Sequence, residues 1–304
     1  MERETLIMSD GCMVEAVSLG PGSTPRGHIH LVHGMAEHIG RYSGVMEELA
    51  AQGYAVSGQN QRGHGPLAEE AGRLGDFGDN VTFDRLAEDV REVLAHYKKR
   101  FGRVPCILFG HSMGSFVVRR YSQKHGRELD ALILSGTAGG PGIVGIGGTI
   151  LASMLSVKDG SHAPSYLLDK LGFGGYNRSV DHPETKFDWL STDRRAVREY
   201  IADPLSGAVS TNKFFRVLFE GLKVISTADA YRSVPKSLPV LLISGSDDPV
   251  GDMGAGVFEA AALYRNAGVR SVTVSFREGE RHEILQGAAQ ARTLAVMLEW
   301  LVKS

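Results

Sequence analysis

The chain has 304 residues, 42% of them hydrophobic and 22% charged, a globular composition long enough for one large domain carrying an insertion. Its 33 basic and 35 acidic residues are interspersed, for a net charge of −2, and with no basic stripe a nucleic-acid partner is not expected. The two cysteines, Cys12 and Cys106, are too few for a disulfide framework or a cysteine-based zinc site, so a reduced, cytoplasmic protein is expected.

In chain order, Thr5 to Met8 and Met13 to Leu19 are strand-like and meet at the hairpin signal Asp10-Gly11. His28 to Val32 is a third strand and runs into His33-Gly34-Met35-Ala36-Glu37-His38. Tyr42 to Gln52 reads as a helix, Tyr54 to Ser57 as a strand, and Asn60 to Pro66 as a tight polar loop. Phe83, Leu86, Val90, Val93, Leu94 and Tyr97 recur at helical spacing, with Asn80 or Thr82 available as cap. The apolar run Val104 to Phe109 then enters Gly110-His111-Ser112-Met113-Gly114. A helix follows to His125, and then the strand Ala131 to Leu134. This alternation predicts a mostly parallel α/β sheet with helices on both faces. From Ser135 to about Ser226 the alternation stops, over a stretch too long to be a loop. We therefore divide the chain into a core, 1–135 and 227–304, and a cap-like insertion, 136–226. The pattern resumes with the strand Pro239 to Ile243, a helix Met253 to Ala267, the strand Val272 to Phe276 and a helix Gln290 to Val302.

Three signals point elsewhere and are set aside. Ala131 to Val157 carries no charge, but its glycines and Pro141 argue against a membrane span. Gly140-x-Gly142-x-x-Gly145 matches a dinucleotide fingerprint in letters but follows the sixth strand, not the first. His28, His30, His33 and His38 lack an acidic partner set and read as structural histidines.

The chemistry gathers at the G-x-S-x-G turn. A serine at a sharp strand-to-helix turn stands above the sheet, and the helix N-terminus behind it favours developing negative charge. The serine needs a base and an acid that orients the base. Both are expected after later strands: an Asp from Ser244-Gly245-Ser246-Asp247-Asp248, with Asp248 preferred to Asp247 on loop alignment, and His282 in Glu278 to Glu283. Serine, acid, histidine is the chain order of α/β-hydrolases. The oxyanion donors are expected to be the backbone N–H groups of Met113 and Met35, and their side chains suit an acyl chain.

The run HGMAEH at 33–38 with Arg41-Tyr42, Arg62-Gly63-His64-Gly65, Gly110 to Ser115, Gly245 to Asp248 and Arg281-His282-Glu283 resembles the monoacylglycerol lipase and lysophospholipase group of α/β-hydrolases, its bacterial lysophospholipases most of all. The resemblance covers nearly the whole chain. It implies an eight-stranded sheet with a helical cap between strands six and seven and no metal or organic cofactor. It also implies hydrolysis of glycerol or lysophospholipid esters by Ser112, Asp248 and His282, with Met35 and Met113 at the oxyanion. Asn60 stands where the group has Asp, and Pro66-Leu67 replaces small polar residues. Alternatives are an aminopeptidase, for which Glu184, Asp188 or Asp193 would have to bind a free amine, a thioesterase, and a non-catalytic binding protein. A transient lipid contact is expected at the uncharged edge Gly139 to Val157, through Ile143, Val144 and Ile146.

Overall fold

The computed structural model describes residues 1–140 and 142–304, with the side chains of 142–146 outside the description. Eight strands form one sheet in the order β1-β2-β4-β3-β5-β6-β7-β8. β1 (Glu2–Ile7) and β2 (Met13–Leu19) are the opening hairpin, and β2 runs antiparallel to β4 (Ala55–Gln59). From β4 through β3 (His28–Val32), β5 (Cys106–His111), β6 (Ala131–Ser135), β7 (Val240–Gly245) and β8 (Val272–Arg277) every pairing is parallel.

The central strands are buried throughout because both faces are covered; β5, β6 and β7 are mostly apolar, and alternate residues feed alternate faces. Leu108, Leu132, Leu134, Val240 and Leu242 join one core with α3 (Phe83–Phe101), α4 (Met113–His125) and α9 (Ala255–Asn266). Ile107, Phe109, Ile133, Leu241 and Ile243 join the other with α1 (Ser43–Ala51) and α10 (Gln290–Lys303). α3 starts where expected, with the Thr82 hydroxyl accepting from the Arg85 N–H at 3.2 Å.

Two expectations need correction. The polar loop at 60–66 ends in a helix, α2 (Gly65–Glu70), with Pro66 in its first turn; proline fits there because its missing N–H would have no partner. The helix read from Met253 starts two residues later, because Asp252, Met253 and Gly254 all have positive φ and cannot be its first turn.

Between β6 and β7 lie α5 (Gly142–Asp159), α6 (Tyr166–Phe173), α7 (Arg194–Ala202) and α8 (Asn212–Ile225). Phe214, Val217 and Leu218 of α8 are buried in the same core as α3 and α4, so this helix is fastened to the body of the protein. Arg119, wholly buried on α4, holds both ends of the segment: it donates to Ala138 O at 2.7 Å and Ile225 O at 3.3 Å, and to the Tyr231 hydroxyl at 2.9–3.0 Å. Ile143, Val144 and Ile146, on which the lipid-contact expectation rested, fall among the side chains outside the description. No described helix is long and apolar enough to cross a membrane.

Candidate active site

Ser112 lies between β5 and α4 with φ 53° and ψ −123°, a conformation that a residue with a side chain adopts only when its surroundings enforce it. The enforcement comes from close packing. A Cβ on Gly114 would lie 2.2 Å from Val32 O, and one on Gly110 would lie 2.5 Å from Gly114 O, so helix, strand and turn touch backbone to backbone. The Ser112 N–H donates to Ser135 O at 2.9 Å, and the Ser115 hydroxyl to Ser112 O at 2.6 Å. The side chain is partly exposed while its neighbours are buried.

Asp248 and His282, from the loops after β7 and β8, meet in the interior. His282 Nδ1 lies 2.9 and 3.0 Å from the two Asp248 carboxylate oxygens. The carboxylate also accepts from the Ser244 hydroxyl at 3.0 Å and from the Val250 N–H at 2.9 Å. Asp247 is exposed and bonds to the Ser246 hydroxyl, so Asp248 is the carboxylate that the fold brings to the histidine. Asp248 does not cap the next helix, whose N-cap is Gly254.

Electrostatics set His282 apart. Burial pushes His28, His33 and His111 down to about 3, and His30 and His64 to about 4. Burial opposes the charged form of His282 too, yet the charge and hydrogen bond of Asp248 overcome it and hold the ring above its ordinary value. Asp248 in turn is kept below the ordinary carboxylate range: its burial is outweighed by His282 and by the bonds from Val250 and Ser244. The His111 ring packs 4.7 Å from His282 between centroids, and Trp189, from the segment between β6 and β7, packs against the same histidine at 5.2 Å.

The turn after β3 lies against Ser112, where a Cβ on Gly34 would come within 3.1 Å of the serine Cβ. Among the described residues, the N–H groups of Met35 and Met113 have no hydrogen-bond acceptor. Met113 is buried, while Met35 is half-buried and packs against the apolar cluster of Ala152, Leu168 and Phe215, on which Leu151, Leu155 and Phe219 also lie. Ser112 thus lies against the turn that carries Met35, and His111, the residue before it, packs on His282; among the described residues no hydrogen bond joins the Ser112 hydroxyl to His282.

Sequence reading missed what braces the turn. Glu37 accepts from the Gly34 N–H at 2.6 Å, the Tyr42 hydroxyl at 3.0 Å and Arg41 at 2.7 Å. Arg41 goes on to Glu283, the residue after the histidine. The signal was present in HGMAEH, Arg41-Tyr42 and Arg281-His282-Glu283, but motif letters do not reveal which of them touch. Asn60 steadies the same region, because its side-chain oxygen accepts from the Ile39 N–H at 2.8 Å. The strand histidines are structural, with His28 and His30 both on the Ser57 hydroxyl at 2.6 and 2.7 Å. Among the described residues no group of His, Cys, Asp or Glu has the arrangement of a metal site.

Residues 23–288 match the model of the serine aminopeptidase, S33 family. The chain is 27% identical to a monoacylglycerol lipase of Mycolicibacterium smegmatis over 286 residues, covering 93% of this chain and 90% of that one. It is 26% identical to the monoglyceride lipase of Homo sapiens over 291 residues, 91% of this chain and 82% of that one. Among solved structures it resembles a highly thermostable carboxyl esterase from Bacillus coagulans in complex with glycerol, with a TM-score of 0.91, 27% identity, and coverage of 99% of this chain and 97% of that one. The chain belongs to the serine aminopeptidase, S33 family and is a monoacylglycerol lipase-like α/β-hydrolase.

Proposed function

We propose that this protein is a carboxylic ester hydrolase acting on monoacylglycerol or lysophospholipid esters through an acyl-enzyme. The buried Asp248–His282 pair, beside a serine held in a strained turn, carries the reading. Ser112 Oγ attacks the ester carbonyl carbon while His282 Nε2 takes its proton. The carbonyl electrons move to an oxyanion that faces the N–H groups of Met35 and Met113. Collapse of this intermediate breaks the bond to the alcohol, which leaves with the proton from His282. Water then attacks the acyl-serine by the same route, releasing the acid and restoring Ser112. No step calls for a metal or organic cofactor.

Residues 136–226 act in this reading as a cap that supplies the acyl-chain surface. Met35 with Leu151, Leu155 and Phe215 is apolar and lies next to the reacting centre, which suits an alkyl chain. Lipid contact through the cap is part of the same proposal: Ile150, Met154 and Val157 recur along α5 and are 61, 63 and 90% exposed.

The family's name specifies an aminopeptidase, so amide cleavage is the second reading. The acids it would need are otherwise engaged. Glu184 pairs with Arg194 at 2.5 Å, Asp188 accepts from the N–H groups of Glu184 and Thr185, and Asp193 from those of Arg195 and Ala288. A panel of monoacylglycerols, lysophospholipids and p-nitrophenyl esters, with an aminoacyl p-nitroanilide, tests the choice. Ester turnover exceeding amide turnover by about a thousandfold is expected from the acyl-binding surface and the engagement of these acids; amide turnover as the larger rate would overturn it.

A further inference from the structure

Ala36 carries a Cβ at φ +54°, in the turn that bears the Met35 N–H. A residue in that region stays there only if neighbours grip its peptides. Each flanking peptide is held in turn. The Gly34 N–H is on Glu37, Gly34 O is 2.7 Å from His33 Nδ1, and the Ala36 N–H donates to His64 Nε2 at 3.2 Å. Ala36 O accepts two bonds, from the Tyr200 hydroxyl at 2.9 Å and the Gly207 N–H at 2.8 Å. The first three partners belong to the sheet body; the last two come from α7 and the loop after it. Tyr200 is 5% exposed, and its ring lies beneath the Arg41 guanidinium, 4.8 Å from ring centroid to Cζ, so the hydroxyl has a fixed aim. His38 adds a second tie to the same loop, with Nε2 2.7 Å from Asp203.

We propose that Tyr200 is a positioning residue for the oxyanion site: its hydroxyl, seated by α7, holds Ala36 in the left-handed conformation that aims the Met35 N–H at the reacting oxygen. The inference rests on the reading that Met35 N–H is an oxyanion donor. It makes α7 part of the catalytic scaffold, since displacement of that helix releases one of the two bonds on Ala36 O. Acyl transfer then depends on α7 being docked, even for an ester too short to reach the apolar surface around Leu151 and Phe215.

Tyr200→Phe tests this, because it keeps the ring under Arg41 and leaves Ala36 O one donor. The measurements are kcat and KM for p-nitrophenyl butyrate, the inhibition constant of an alkyl trifluoromethyl ketone, whose adduct with the serine carries an oxyanion, and the melting temperature. The expected result is a fall in kcat of about tenfold, part of the loss for removing an oxyanion donor outright. The inhibitor should weaken by a similar factor, with KM within about twofold and melting nearly unchanged. A second variant separates aiming from packing. Glycine adopts positive φ without steric cost, so in an Ala36→Gly background the Tyr200→Phe loss should shrink to about threefold or less. Unchanged kcat in Y200F, lost kcat with unaltered inhibitor affinity, or an equal loss in the glycine background would each overturn the assignment. Wild-type hydrolysis of the same ester tests the hydrolase reading separately, so an inactive wild type and an indifferent Tyr200 are distinct outcomes.

Discussion

Arg41 grips Glu283 with two parallel hydrogen bonds, Nη1 to Oε1 at 2.6 Å and Nη2 to Oε2 at 2.8 Å, so the turn after β3 is tied to the residue following His282. The Glu283 N–H also donates to Leu190 O at 2.7 Å, and Arg281 donates to Asp188 O and Ser191 O, which ties the histidine loop to the segment carrying Trp189. Charge-assisted pairs of this geometry fix position as well as adding stability. Glu283→Gln leaves Arg41 with Glu37 as its remaining carboxylate and breaks the paired bonds to residue 283. We predict a stability loss of about 2 kcal/mol, below the cost of stranding a buried charge completely. Turnover of a short ester should fall about fivefold as the histidine loop loosens. Thermal denaturation and initial rates check both.

As the proposed base, His282 would have to be neutral to accept the serine proton. Because Asp248 holds its pKa above the ordinary 6.5 despite burial, the protonated, inactive form extends to higher pH than for a free histidine. The acid limb of kcat/KM is therefore predicted above pH 6.5, with activity falling as pH drops through it. In Asp248→Asn the raising influence is gone while burial remains, so the limb of the residual activity moves to lower pH, and kcat falls by about 10⁴-fold. A pH–rate profile of both proteins reads the shift and its sign.

Arg119 donates only to neutral acceptors among the described residues, satisfying the Ala138 and Ile225 carbonyls and the Tyr231 hydroxyl. Arg119→Met keeps the bulk and strips those acceptors. A cost of about 3 kcal/mol is expected from the unsatisfied buried groups, which corresponds to a melting temperature lower by roughly 6–12 °C. The same variant should make the segment between β6 and β7 easier to cleave, which limited proteolysis measures.

Exposed apolar residues on α5 and α6 give the lipid reading a test within the described side chains: Ile150, Met154 and Val157, with Tyr166, Leu167 and Leu171 close in sequence. Replacing Ile150, Met154 and Val157 with serine is predicted to lower hydrolysis of vesicle-borne monooleoylglycerol about tenfold, since three partly buried side chains at an interface contribute a few kcal/mol at most. Hydrolysis of soluble p-nitrophenyl butyrate should stay within about twofold.

Much of the core was legible because its signals are local and mutually consistent. The apolar run before the serine reads as a strand, and it is buried from Cys106 onward, while the glycines at 110 and 114 fit a turn where helix and strand meet. Element ends moved by one to three residues, as strand pairing and caps set them: β1 begins at Glu2 because β2 pairs with it from there, and β4 extends to Gln59 because β3 and β2 pair with it that far. Less legible was everything that depends on long-range contact. Arg119 reads as one charge in Arg119-Arg120 until α4 is turned against the sheet, and Tyr200 reads as one aromatic in the insertion until α7 is seen to carry it to Ala36. Pro66 did carry a helix-start signal, but the flanking glycines and polar residues spoke for a loop.

Whether Ser112 is the nucleophile is tested most directly by covalent labelling of the folded protein with a fluorophosphonate, followed by mass spectrometry of the labelled peptide. One adduct is predicted, on Ser112, formed at a rate reduced about a thousandfold or more in His282→Ala and absent in Ser112→Ala. No adduct on Ser112 in folded wild-type protein, or equal labelling after His282 is removed, would contradict this assignment.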